Sequence, residues 1–209
     1  METTHEDVAA KAPTDRKYVV YRGAIHPQAC QIIKNTLVIV KEGQYYINNV
    51  SPLDLNHFAD GRPVKTNCFG TYAVTATEGL LQTLCPLVEE AWGRRMYPTF
   101  SFARIYWRGA TMAKHFDQPV AEYSITACID VEGGDPWPIW MDGEELVLQP
   151  GDLVTYRGME AAHWREVCEC RQQVQVFMHY VAQDGPHAHH KWDSRPRLGL
   201  QKKGFRKPE

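Results

Sequence analysis

The sequence predicts an α+β chain, mainly β, in which N-terminal helices brace an antiparallel sandwich or barrel. Apolar residues recur at helical spacing in two segments before residue 98. After Pro98 the chain breaks into short β-like runs separated by turn residues. At 209 residues and 23.9 kDa, one compact domain holds both halves. Hydrophobic residues make up 44% and charged residues 23%, a balance that excludes disorder over most of the chain. No run approaches the roughly 18 apolar residues of a membrane span. A net charge of −2 predicts no general attraction to nucleic acid or anionic lipid.

The elements follow in order. Residues 1–16 are polar and aperiodic, and read as a flexible tail. Tyr18–Tyr21 is a short strand. From about His26 to Lys41, Ala29, Ile32, Ile33 and Leu37 mark a helix whose first turn suits Pro27. Residues 77–93 are a second helical segment, with Leu80, Leu81, Leu84, Leu87, Val88 and Ala91 on one side and a kink or split expected at Pro86. Strands are expected at about 101–107, 122–130, 137–141, 145–149, 152–157, 162–168 and 172–181. Gly133-Gly134-Asp135, Asp142-Gly143 and Pro150-Gly151-Asp152 supply turns between them. The domain is expected to cover 17–182, with the barrel at about 98–182. Residues 183–209 carry seven basic side chains against three acidic ones and read as a basic tail, either solvated or touching an acidic partner, with solvation the favoured reading.

Two strands alternate unusually. Glu122, Ser124, Thr126 and Cys128 share one face, opposite Tyr123, Ile125 and Ala127. Arg171, Gln173, Gln175, Phe177 and His179 share another, opposite Val174, Val176, Met178 and Tyr180. Either solvent covers the polar faces or they line a polar barrel interior. The six cysteines show no zinc-site spacing, and Met1–Ala10 lacks the basic start and apolar stretch of a secretory signal. Reduced thiols and a cytoplasmic location are expected.

His115-Phe116-Asp117 follows the 101–107 strand and a Gly109 turn. On extended backbone, residues two apart point the same way, so His115 and Asp117 can grip one ion. His163 begins a later strand. Two imidazoles and a carboxylate form the facial triad that binds non-haem Fe(II) and leaves positions open. The order of strand, H-x-D, hairpin strands, His and final strand is what a double-stranded β-helix, a jelly-roll barrel of cupin type, requires if its ligands are to meet at one mouth.

Arg104-Ile105-Tyr106-Trp107-Arg108-Gly109, His115-Phe116-Asp117-Gln118-Pro119 and Glu122-Tyr123-Ser124-Ile125-Thr126 resemble the Fe(II)- and 2-oxoglutarate-dependent oxygenases of the prolyl-4-hydroxylase-like group. Trp137-Pro138, Pro150-Gly151-Asp152, Tyr156-Arg157-Gly158, His163-Trp164-Arg165-Glu166 and Gln175–Val181 continue the likeness, which covers about residues 98–182. The resemblance implies an enzyme using Fe(II), 2-oxoglutarate and O2, with ascorbate as an accessory reductant. It implies His115, Asp117 and His163 as metal ligands and catalytic centre. Related halogenases place Gly or Ala where Asp117 stands, so its presence favours hydroxylation or desaturation. A cation must hold the distal carboxylate of 2-oxoglutarate, usually about nine or ten residues after the second His. Arg171, eight residues on, and Arg165, two residues on, are the candidates; Gln173 holds the tenth place. Tyr106 and Thr126 are candidate hydroxyl donors to the same cosubstrate.

Other residues are expected to be structural. His187, His189 and His190 read as a solvated turn, and His179 as a hydrogen-bonded core residue. Trp107, Trp137, Trp140 and Trp164 fit barrel core or a pocket lining. Arg104 and Glu122 are expected to pair inside the barrel or to meet a polar substrate. The rival functions are a cupin-type iron dioxygenase without 2-oxoglutarate and a non-catalytic β-barrel binding protein. The expected partner is a small molecule or a short peptidyl segment.

Overall fold

The computed structural model describes residues 15–48, 56–57 and 67–200. The expected N-terminal tail lies outside them except for its last two residues, and residues 201–209 lie outside them too. The elements run β1 (Tyr18–Tyr21), α1 (Pro27–Asn48), β2 (Asn56–His57), β3 (Cys68–Tyr72), α2 (Thr75–Thr83), α3 (Cys85–Trp92) and β4 (Met96–Trp107). Then follow β5 (Met112–His115), β6 (Tyr123–Glu132), β7 (Ile139–Met141), β8 (Glu144–Leu146), β9 (Leu153–Arg157), β10 (His163–Arg165) and β11 (Gln172–Ala182). A seven-stranded sheet has the order β1-β9-β6-β11-β4-β3-β2, and a four-stranded sheet has the order β5-β10-β7-β8. All pairings are antiparallel except β2 with β3. This is the expected jelly roll with helices on one face. Among the described residues, no helix is long and apolar enough to cross a membrane.

The helical segment expected over 77–93 is two helices. The break falls at Leu84, and Pro86 opens the first turn of α3, where its missing N–H costs nothing. Gly93, at φ 63°, ends α3 in the left-handed conformation that glycine adopts without strain. The sequence reading missed β2, β3 and β5. Cys-Phe-Gly-Thr-Tyr in β3 carries no polar alternation, because the strand is almost wholly buried.

Both faces of the large sheet are covered. On the outer face Ile125, Ala127, Val174, Val176, Met178 and Tyr180 pack on Ile33 and Leu37 of α1, Leu81 of α2 and Val88 of α3. Burying one such side chain fully contributes about 1.5–3 kcal/mol. On the inner face Ser124, Thr126, Cys128, Gln173 and Gln175 are also buried. The polar alternation therefore marks a barrel interior, not solvent. Arg171 departs from this pattern. It precedes β11, is 70% exposed and pairs with Glu132 at 2.6 Å. Arg104 and Glu122 do not pair. Glu122 accepts a hydrogen bond from the backbone N–H of Ala182 at 3.0 Å.

The reading of 183–209 as a solvated tail needs correction over its described part. Residues 183–200 fold back against β4 and β11, with a 3₁₀ segment at Ala188–Ser194. Arg195 is buried and donates to Glu78 at 2.6 Å and to the Thr99 carbonyl at 2.9 Å. The Gly199 N–H reaches the other Glu78 oxygen. Charge counting could not find this, because the partner lies 117 residues away in α2. Removing one member strands a buried charge. Glu78→Leu should destabilise the fold by about 3–5 kcal/mol, and Glu78→Leu with Arg195→Met should recover much of that loss. Urea unfolding of the three proteins measures both.

Candidate active site

The small sheet and the loop after it build the site. His115 closes β5 and His163 opens β10, and the two are directly paired across the strands. Their rings lie 4.2 Å apart. Each Nδ1 meets a carbonyl two residues back in the chain: His115 that of Ala113 at 2.8 Å, His163 that of Ala161 at 3.0 Å. A carbonyl only accepts, so Nδ1 carries the proton in both rings. Both Nε2 lone pairs then turn toward Asp117, whose Oδ1 is 3.9 Å from His115 and 3.6 Å from His163. The ligand atoms of all three lie within 4.8 Å of one another. Burial pulls the His163 pKa below the usual 6.5, with Asp117 opposing, which keeps that imidazole a neutral donor near pH 7.

Asp117 sits in the loop after β5 and is fixed from three sides. Its N–H donates to the Gly158 carbonyl at 2.8 Å. Its Oδ2 accepts from Ser124 Oγ at 2.8 Å, leaving Oδ1 for the imidazoles. Ser124 Oγ in turn lies 2.9 Å from His179 Nδ1, so a chain runs His179–Ser124–Asp117 across β11 and β6. Gly158 makes the third constraint. A Cβ there would lie 2.2 Å from the Ala121 carbonyl and 2.8 Å from Asp117 Cβ, so only glycine permits the approach. Tyr156, wholly buried, also faces Asp117, and burial first and that carboxylate second push its phenol well above the usual range.

A cavity of about 510 Å³ opens beside the three residues, a volume typical of small-molecule sites. Its lining includes Tyr106, His179 and the triad. Arg165 lies beneath, wholly buried. Its Nη1 donates to the Trp137 carbonyl and its Cζ stands 4.9 Å from the Trp137 ring centroid. Nε and Nη2, the two parallel donors of one guanidinium edge, find no partner among the described residues. Burial, opposed by Tyr106, draws its pKa below the ordinary arginine value. Thr126 donates to Gln175 Oε1 at 3.2 Å, and Gln175 Nε2 is likewise without a partner. The interior thus presents unpaired donors and a positive charge, a set that an anion satisfies.

No protein-family model and no curated protein matches the sequence. Solved structures do match the fold. A prolyl-4-hydroxylase from Pseudomonas putida aligns at TM-score 0.58 and 15% identity, over 79% of this chain and 93% of that one. The viral collagen prolyl hydroxylase of Paramecium Bursaria Chlorella virus-1, in complex with 2-oxoglutarate, aligns at 0.56 and 10%, over 80% and 97%. HygX from Streptomyces hygroscopicus, with nickel and 2-oxoglutarate bound, aligns at 0.58 and 7%, over 80% and 84%. The fold is that of the Fe(II)- and 2-oxoglutarate-dependent oxygenases. At these identities the likeness concerns architecture, and the site must be argued from this chain's own residues.

The structure brings His115, Asp117, His163, Tyr106, Arg165 and Thr126 to one barrel interior. It leaves Arg171 at the surface. His179 stands behind Asp117, linked through Ser124, and not among the three convergent donors. Sequence reasoning gave no role to Ser124, Tyr156 or Gly158. The polar alternation of β6 was the signal for Ser124; nothing local marks Gly158 as a close-approach glycine. Loss of a residue that orients a metal ligand typically weakens metal affinity about 10–100-fold. Ser124→Ala should weaken Co(II) binding within that range, and Gly158→Ala at least as much. Spectroscopic titration of the metal-free protein checks both, and unchanged affinity would remove Ser124 from the site.

Proposed function

We propose that the protein is an Fe(II)/2-oxoglutarate-dependent oxygenase that hydroxylates an unactivated C–H bond of a small molecule or short peptidyl segment. The balance is substrate–H, 2-oxoglutarate and O2 to substrate–OH, succinate and CO2. One observation carries this reading: three convergent metal-binding atoms share a barrel with a buried arginine whose paired donors are free. The first suits iron and the second a dicarboxylate cosubstrate. When bound, iron with 2-oxoglutarate and O2 supplies the oxidant for C–H cleavage.

The chain's own contribution is positional. His115, Asp117 and His163 would hold the metal on one face and leave the cavity side open. Arg165, two residues from His163 on the same strand, would receive the distal carboxylate through Nε and Nη2. Tyr106 is buried beside Arg165; burial keeps its phenol protonated, so it would donate a further hydrogen bond. Thr126 would act through Gln175. Phe100, Phe102 and Phe177 would give the reacting centre an apolar wall.

Anaerobic titration with Fe(II) and 2-oxoglutarate tests the reading. Chelation of one iron by the cosubstrate should give a visible charge-transfer band in the wild-type protein and none in His163→Ala. Absence of the band in wild type would favour a cupin-type enzyme or a binding protein. Arg165→Met should raise the 2-oxoglutarate requirement about tenfold or more, since about 1.4 kcal/mol is one decade. Its apo stability should hold or rise, because an unpaired buried charge is removed and Gln173 Nε2 still serves the Trp137 carbonyl at 3.3 Å. Arg171→Met should change neither.

A further inference from the structure

Granted the oxygenase reading of this cavity, on which the following rests, we infer that the substrate is a carboxylate with an apolar body and no matching ammonium, and that Arg104 reads its charge. Arg104 lies on β4 between Phe102 and Tyr106, and alternation places all three on the cavity wall. Its Cζ stands 5.2 Å from the Phe102 ring centroid and 5.8 Å from that of Tyr106. Rings on both sides hold the guanidinium against the cavity, and its planar fork can take a bidentate partner. Its Nη1 donates to Cys68 Sγ at 3.4 Å, a weak acceptor, and the guanidinium also hydrogen-bonds the Tyr106 hydroxyl. Among the described residues no carboxylate lies within ion-pair distance; the groups acting on it are Tyr106 and Cys68. Opposite it on β3 stands Gly70, with no side chain to compete for the space.

The rest of the wall fixes the other half of the substrate. Phe100, Phe102, Phe177 and Met112 make it apolar. Asp117 is the one carboxylate among the described lining residues, and it faces the two imidazoles. The ammonium of a free amino acid would therefore find no partner there. The two arginines divide the work. Arg165, wholly buried, serves the cosubstrate; Arg104, open to the cavity, serves the substrate.

Anaerobic protein loaded with Fe(II) and 2-oxoglutarate supplies the readout, through the perturbation of the charge-transfer band by added probes. The probes are hexanoate, phenylacetate and 3-phenylpropionate, each beside its primary amide. In wild type the acids should perturb the band at concentrations about tenfold or more below their amides. Arg104→Gln should bind 2-oxoglutarate as wild type does, lose that preference, and bind the amides unchanged. No preference in wild type, or its survival in Arg104→Gln, would overturn the assignment. A loss of 2-oxoglutarate affinity in Arg104→Gln would overturn it too, by moving Arg104 into the cosubstrate clamp. No band in wild type at all would instead sink the oxygenase reading, and this assignment with it.

Discussion

A sheet buried on both faces must satisfy every polar group it turns inward, and that requirement organises this molecule. Water cannot do the satisfying where the interior is closed, so side chains do it for one another. Ser124 serves Asp117 and meets His179; Thr126 serves Gln175; Gln173 joins the Trp137 backbone through both its amide atoms. These are the inner-face partners of the residues whose neighbours build the outer apolar core. Period-two alternation thus sets core and site at once, and a one-residue slip of β6 or β11 would exchange them.

The groups left over are as informative as the pairs. Among the described residues, Arg165 Nε and Nη2 and Gln175 Nε2 are buried in the barrel without a hydrogen-bond partner. A buried guanidinium without a carboxylate is a cost to the fold, of the kind retained where a ligand repays it. Arg195 makes the contrast. It is equally buried, but Glu78, Thr99 and backbone carbonyls occupy its donors. One arginine is finished by the protein and reads as structural. The other is unfinished.

Much of this was legible in the sequence because it is local or periodic. The H-x-D pair, the later His and the alternating strands carry the barrel and the convergence of ligands. What escaped was non-local. Arg171 and Arg165 looked comparable because strand alternation was extended one residue before β11 begins, to a position that turns outward to Glu132. β3 was missed because a doubly buried strand has no period to read. Gly158 was missed because its role is a contact with Ala121 and Asp117, more than thirty residues earlier in the chain.

The position of Arg165 has its own consequence. Gln173 stands where a clamping cation was expected, and its amide is locked to Trp137, the same residue whose carbonyl anchors Arg165. The Trp137 ring also lies against Tyr106, 5.0 Å between centroids. If Arg165 is the clamp proposed above, the cation lies on β10, two residues from His163, and the cosubstrate would be held at both ends by a single three-residue strand. Any displacement of β10 would then move a metal ligand and the arginine together, preserving their spacing. A cation on β11 would instead depend on how two sheets sit against each other. On that proposal the short strand would set the spacing between the metal-binding and carboxylate-binding groups, and the Gln173–Trp137 pair links that spacing to the large sheet.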